Sequence, residues 1–288
     1  MSKFTLSVFA DEISSDFSEQ LAAVQRANIR YIEARGIDGV NISDVPCNKA
    51  VAYKKMLDDA GVKVSAIGSP LGKISILDDF GPHYDKFQHT LELAEIFDAP
   101  YIRMFSFYYP KEDGPEKYRD AVLERWNRFV EGAASSPVTL LHENELNIYA
   151  DNAARCYDLL STIHSPKLRA TFDPANFVLT PQKVYPDAFE LLADYIAYLH
   201  IKDAVWEPQS IQPAGRGEGQ IREVLCALMA RGFDGFCSLE PHLGSFAGLA
   251  GIQTLLDVSK LPEGGEGTFL VAYHALVDIL EKIGATYC

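Results

Sequence analysis

The feature that most constrains this chain is a repeated pattern: a short apolar or β-branched run, then polar residues, then a helical periodicity. It occurs four times in succession, starting from Val138–His142, Leu168–Phe172, Ile196–Ile201 and Phe236–Leu239. Runs of this length and composition predict buried strands, and a helix after each one returns the chain to start a parallel neighbour. After the third run, Ile221, Val224, Leu225, Leu228 and Met229 fall at helical spacing and form one apolar stripe, so that helix is predicted to pack on a sheet. The first half repeats the pattern less cleanly. Strands are predicted near Thr5–Phe9, Arg30–Glu33, Lys63–Ile67 and Tyr101–Met104, alternating with helices near Phe17–Asn28, Ala50–Ala60, Asp85–Phe97 and Glu116–Ala134.

The first helix opens with Asp16-x-x-Glu19, the spacing of a capping box, and is expected to bury Phe17, Leu21 and Val24. The last, near Thr268–Ile283, carries Tyr273, Leu276, Val277 and Leu280 and completes eight strand–helix units. Such a series closes into a barrel or opens into an unusually long doubly wound sheet. No glycine-rich phosphate loop follows the first strand, which favours the barrel. No linker divides the sequence, so residues 1–288 are read as a single-domain α/β (β/α)8 TIM barrel.

The charge balance narrows the partners. With 26 Lys and Arg against 40 Asp and Glu, the formal charge is −14, and no basic run offers a local exception. Nucleic acid and anionic membrane surfaces are therefore not expected as partners, and a small molecule is. The five cysteines are scattered and contain no C-x-x-C pair, which argues against a disulfide framework or a zinc ribbon and for a reducing compartment. The N-terminus meets acidic residues too early for a signal-peptide core, and no apolar run approaches the ~18 residues of a membrane span; the expected location is the cytoplasm.

In an α/β barrel the chemistry sits at the carboxyl ends of the strands. The fifth run ends HENE with Glu143, the sixth FDPAN with Asp173, the seventh LHIKD with His200 and the eighth LEPH with Glu240. A lone strand-end carboxylate is most often a helix cap or an ion-pair partner, and a lone histidine is most often merely hydrogen-bonded. Four successive strand ends supplying ligand-type groups are a different matter. Three carboxylates brought together call for a counter-charge, and a bound divalent cation is the simplest one. Three oxygen donors and one nitrogen suit Mn²⁺ first, with Mg²⁺, Co²⁺ or Zn²⁺ as alternatives.

With FADEIS, IGSPLGKI and the glycine-rich GRGEG added to those strand ends, the sequence resembles the xylose isomerase-like TIM-barrel superfamily of sugar-phosphate isomerases and epimerases over nearly its whole length. The resemblance implies Glu143, Asp173, His200 and Glu240 as metal ligands, with Glu143 and Glu240 as the acid/base pair of a metal-dependent sugar isomerase or epimerase. The superfamily also holds inosose- and dehydroshikimate-type dehydratases, which give the alternative activity, and a non-catalytic sugar-binding barrel is the alternative outside enzymes. The apurinic-site nucleases of the same superfamily need several zinc-binding histidines and a basic face. This chain has seven His and a charge of −14.

Two positions depart from the ketose epimerases. Asp173-x-x-Asn176 replaces D-x-x-H, and Lys202, with Asp203 and Trp206 following, stands where an arginine is usual. Lys202 is read either as a catalytic group that orients or protonates a substrate oxygen, or as the partner of a neighbouring carboxylate. Arg35, Lys73, Arg103, Asn176, Trp206 and Arg216 are the expected substrate-binding residues, the basic ones also being placed to neutralise an acidic rim that includes Glu12 and Glu33. Glu145 is the rival ligand to Glu143, while His142 and Asn144 are expected to face away from it by strand alternation. The long connection Pro241–Glu266 points to a lid or to a contact between copies in a homo-oligomer.

Overall fold

A computed structural model describes residues 2–243 and 265–288; most of the Pro241–Glu266 connection lies outside the described residues. Eight parallel strands form one sheet: β1 (Lys3–Val8), β2 (Tyr31–Ala34), β3 (Lys63–Gly68), β4 (Tyr101–Met104), β5 (Thr139–Glu143), β6 (Leu168–Phe172), β7 (Ile196–Ile201) and β8 (Asp234–Leu239). Each pairs with its sequence neighbours from β2 to β8, and β8 also pairs with β1, with Ser7 opposite Ser238. Between β1 and β2 the strands are neighbours without a regular ladder, so the barrel is nearly closed.

Helices α1 (Phe17–Arg26), α2 (Cys47–Ala60), α3 (Phe80–Ile96), α4 (Arg119–Gly132) and α5 (Ala153–Ile163) cover the first five crossovers. The sixth is broken into α6 (Pro174–Leu179) and α7 (Phe189–Leu192) rather than forming one helix, and α8 (Ile221–Ala230) and α9 (Gly265–Lys282) complete the ring. The apolar stripes face the sheet as their periods require. α1 buries Phe17, Leu21 and Val24, and α8 buries Ile221, Val224, Leu225 and Leu228. On α9 the buried apolar set is Phe269, Ala272, Leu276 and Leu280, leaving Tyr273 and Val277 half-buried. Asp16 caps α1 by accepting from the Glu19 N–H at 3.0 Å, but Glu19 turns to the Ser14 hydroxyl (2.5 Å) instead of completing the reciprocal box. None of the described helices is long and apolar enough to cross a membrane, and all five cysteines are free thiols.

Contacts between strands that are not neighbours must cross the interior, and they reveal its layers. At the amino end Tyr101 meets Tyr198 edge-on at 5.9 Å, and Tyr31 meets Phe236 at 5.0 Å. Above them Ser65 bonds Ser7 (2.6 Å) and the Tyr198 hydroxyl (2.8 Å). Charged residues occupy the layer above that. The backbone supports this rim at Gly72, whose φ of +87° and whose Cβ position, only 2.0 Å from the Phe105 carbonyl oxygen, exclude any side chain.

Candidate metal and active site

Glu143, Asp173, His200 and Glu240 come from the ends of β5 to β8, and one ligand atom of each lies within 4.8 Å of the others; all four are buried. His200 Nδ1 is 3.0 Å from Glu143 Oε1, 3.4 Å from Glu240 Oε2 and 3.8 Å from Asp173 Oδ2. Its other nitrogen, Nε2, is 3.1 Å from Glu33 Oε2. Glu33 thus fixes the ring with Nδ1 toward the three carboxylates, the arrangement by which an outer carboxylate orients a metal-binding imidazole. A β-bulge in the β2–β3 register falls between Ile32 and Glu33, at the point where this side chain enters the interior.

The structure supplies the counter-charges that the sequence offered as the alternative to substrate contacts. Lys202 Nζ stands 2.8 Å from Asp173 Oδ2 and 3.1 Å from Glu240 Oε2. Arg103 Nε is 3.1 Å from Glu143 Oε2 and 3.6 Å from Glu33 Oε1. Arg35 reaches Asp11 (2.8 Å), Glu12 (3.2 Å) and Glu240 Oε1 (3.1 Å). Repulsion among the carboxylates is therefore already relieved by the protein, and that argument alone does not call for a cation. The case for a metal rests on the convergence of donors and on the set orientation of His200.

Burial works against charge on every one of these groups, and the partners decide the outcome. For His200, Glu143 and Glu33 overcome burial and raise it well above the ordinary imidazole value. Burial likewise opposes the charge on Glu240, but Lys202 and His242 hold it well below the carboxylate range. His242 Nδ1 lies 3.1 Å from Glu12 Oε1 and Nε2 lies 3.2 Å from Glu240 Oε1; against burial, these two glutamates lift it to about 9. An extended ion network of alternating sign results.

The remaining predicted residues divide by position. Asn176 Nδ2 points to Glu143 Oε1 at 3.4 Å and donates to the Asn144 carbonyl at 2.9 Å. Asn144 braces β6 by exchanging two hydrogen bonds, both 2.9 Å, with the Asp173 backbone. Lys73 pairs with Glu145 at 3.0 Å and lies over the Phe105 ring, so Glu145 stands apart from the four-residue cluster. His142 packs edge-on against Trp126 outside the barrel, as alternation requires. Trp206 is half-buried and Arg216 exposed on the connection from β7 to α8.

The GRGEG loop is organised around a residue of the chain itself. The N–H groups of Gly215, Gly217 and Gly219 donate to the Asp203 carboxylate at 2.9, 3.0 and 2.8 Å. A Cβ on Gly217 would come within 2.4 Å of Asp203 Oδ1, so the loop closes only with glycine there. Backbone N–H groups converging in this way hold an anion, and here that anion is a side chain of the chain itself. Lys202 correspondingly pairs with Asp173 and Glu240, not with Asp203.

The sequence presents Glu33 and Glu12 only as rim charges, and His242 only as the last residue of the LEPH ending. Glu33 had a usable signal: applying to the YIEA run the same strand-end rule used for the last four strands singles it out. Glu12 lies in the 3-10 turn Ala10–Glu12 just past β1 and His242 three residues past the end of β8, and no strand or helical period in the sequence marks their approach.

The comparisons agree with the barrel fold. The model of the xylose isomerase-like TIM barrel family matches residues 21–260. No curated protein matches the sequence. Among solved structures, an L-ribulose 3-epimerase is similar with a TM-score of 0.72 at 19% identity, over 99% of this chain and 96% of that one. The IOLI protein with a bound zinc atom gives 0.73 at 16%, over 97% and 99%. A probable 3-DHS dehydratase, AsbF from Bacillus anthracis, gives 0.67 at 21%, over 83% and 92%. Identities this low establish the common fold only. The barrel, its interior layers and the match along most of its length together place this chain in the xylose isomerase-like TIM barrel family.

Proposed function

We propose that the protein is a metal-dependent isomerase or epimerase of a small sugar, sugar phosphate or keto-polyol. The observation that carries the reading is the buried meeting of Glu143, Asp173, His200 and Glu240 within 4.8 Å at the carboxyl rim, with His200 Nδ1 turned toward the carboxylates by Glu33. The donor set fits one divalent cation, with Mn²⁺ favoured and Mg²⁺, Co²⁺ or Zn²⁺ accepted. Such an ion, when bound, polarises a substrate carbonyl and stabilises the negative charge that develops as the neighbouring C–H breaks.

The chain's own groups handle the proton. Glu240, held ionised by Lys202 and His242, is suited to removing it, and Glu143, which with Glu240 approaches the same His200 Nδ1, is suited to returning one. Delivery to the other face of the carbon inverts it; delivery to the adjacent carbon isomerises. Arg35 and Arg103 act through the carboxylates they hold, Asn176 acts through Glu143, and Lys73, Trp206 and Arg216 are the proposed contacts to the outer substrate.

One observation favours dehydration as a second reading. Lys202 is 5% exposed and its ammonium sits between Asp173 and Glu240, where it can protonate a departing β-hydroxyl. Incubation in D₂O with ketoses, keto-acids and inososes separates the readings. Isomerisation or epimerisation places deuterium on carbon and leaves composition otherwise unchanged, dehydration loses water, and a sugar-binding barrel gives neither. Exchange that continues after metal removal overturns the proposal.

A further inference from the structure

A separate group of donor side chains lies on the outer surface, where α2 begins beside α3. Cys47 is the first residue of α2, and His89 and Glu92 lie three residues apart on one face of α3. Cys47 Sγ is 3.8 Å from His89 Nδ1 and 3.6 Å from Glu92 Oε2, and His89 Nδ1 is 3.9 Å from that same oxygen. None of the three takes part in the ion network of the rim.

The histidine orientation distinguishes this group from a chance surface cluster. His89 Nε2 is 2.9 Å from the carbonyl oxygen of Val45. A carbonyl only accepts, so Nε2 carries the hydrogen, and in the neutral ring the lone pair is left on Nδ1, the nitrogen that faces Cys47 and Glu92. A backbone carbonyl holding the far N–H is the usual outer support of a metal-binding histidine. The distances also suit an ion. Tetrahedral zinc, with bonds of about 2.3 Å to sulfur and about 2.0–2.1 Å to nitrogen and oxygen, sets S···N and S···O near roughly 3.5 Å and N···O near roughly 3.3 Å. Shifts of a few tenths of an ångström close the difference, and half-exposed surface side chains make them easily.

We propose that Cys47, His89 and Glu92 form a second metal site, selective for zinc-type ions and independent of the barrel centre. The sulfur, nitrogen and oxygen donors favour borderline to soft cations, in contrast with the oxygen-rich set of the rim. Binding takes the proton from the Cys47 thiol to solvent, and the resulting thiolate and the Glu92 carboxylate balance the two positive charges. Solvent supplies the fourth ligand. Desolvation and the adjacent Glu92 raise the thiol above its ordinary value, so without a metal the residue stays a thiol. The bound ion ties the start of α2 to α3.

Cobalt(II) tests the proposal directly, because only a thiolate ligand gives an intense near-ultraviolet charge-transfer band. Chelator-treated protein titrated with Co²⁺ should develop the band to about one equivalent per chain, and the Glu143→Gln/Glu240→Gln double variant should develop it unchanged. Cys47→Ser should abolish it, while His89→Ala and Glu92→Gln should each weaken Co²⁺ binding by roughly tenfold or more. Added Zn²⁺ should displace the band and raise the thermal midpoint of the double variant, with no rise once Cys47→Ser is added. Absence of the band in the wild type overturns the proposal. A band that survives Cys47→Ser assigns the thiolate to exposed Cys226 or Cys288 and overturns it too, as does a band indifferent to both His89 and Glu92 variants.

Discussion

The two halves of the barrel rim differ in what they aim at the four-residue cluster. From β5 to β8 the strand ends present Glu143, Asp173, His200 and Glu240, all aimed inward at one point. From β1 to β4 they present Arg35 and Arg103, cations aimed at those same carboxylates, with Glu33 as the one acid that reaches across to His200. On the proposed function, one half supplies the reacting groups and the other fixes their charge and direction. The comparison shows that a basic residue on an active-site rim is not thereby a substrate ligand: in a buried layer, the nearest carboxylate belongs to the protein and wins.

The sharpest way to break this division is to remove a supporting cation. Arg103→Met removes one of the two cations that Glu33 and Glu143 share, leaving only His200, and stability to urea should fall by about 3–5 kcal/mol, the cost of breaking a buried ion pair. An unchanged midpoint would show that Arg103 is free for substrate. On the reacting half, Glu143→Gln and Glu240→Gln should each lower turnover, or deuterium exchange into substrate, by roughly a hundredfold or more while the fold survives. Equal losses from Arg35→Lys would merge the two roles.

Asp203 tests the same half from behind. Asp203→Asn removes the charge that Gly215, Gly217, Gly219 and Ala204 surround, and should cost about 1.5–3 kcal/mol of unfolding free energy without changing the metal content of the barrel site. Added phosphate recovering that stability in the Asp203→Ala variant would show that the loop retains an anion site once emptied.

The smallest effect belongs to His83, which supports the first half by accepting the Gly72 N–H at Nε2 (2.7 Å). Burial, with Lys86 and Arg125 adding to it, pushes His83 down to about 4. An unfolded imidazole titrates near ~6.5, so below that pH the unfolded chain binds a proton that the folded chain refuses. The contribution is complete above about 6.5 and is lost as pH falls toward 4, with a slope of at most ~1.4 kcal/mol per pH unit. His83→Gln keeps an acceptor and removes the titration; urea midpoints measured between those pH values should fall less steeply than in the wild type.

The sequence alone determined the parts that depend on local period. Eight strands, the helices between most of them and the inward side of each strand end follow from alternation and helical spacing, because side-chain direction is fixed by backbone geometry. This made Glu143, Asp173, His200 and Glu240 legible as rim residues, and His142 as outward-facing. Only the tertiary structure decided which charges meet. Lys202 chose Asp173 and Glu240 over its chain neighbour Asp203, and Arg35 joined Asp11 to Glu240 across more than two hundred positions. The glycine loop enclosed Asp203, and Cys47 came to lie beside His89 and Glu92. Pairing energies fall off with distance in space and are blind to distance in sequence, so they become defined only when the barrel closes and burial strips the water that would otherwise screen them.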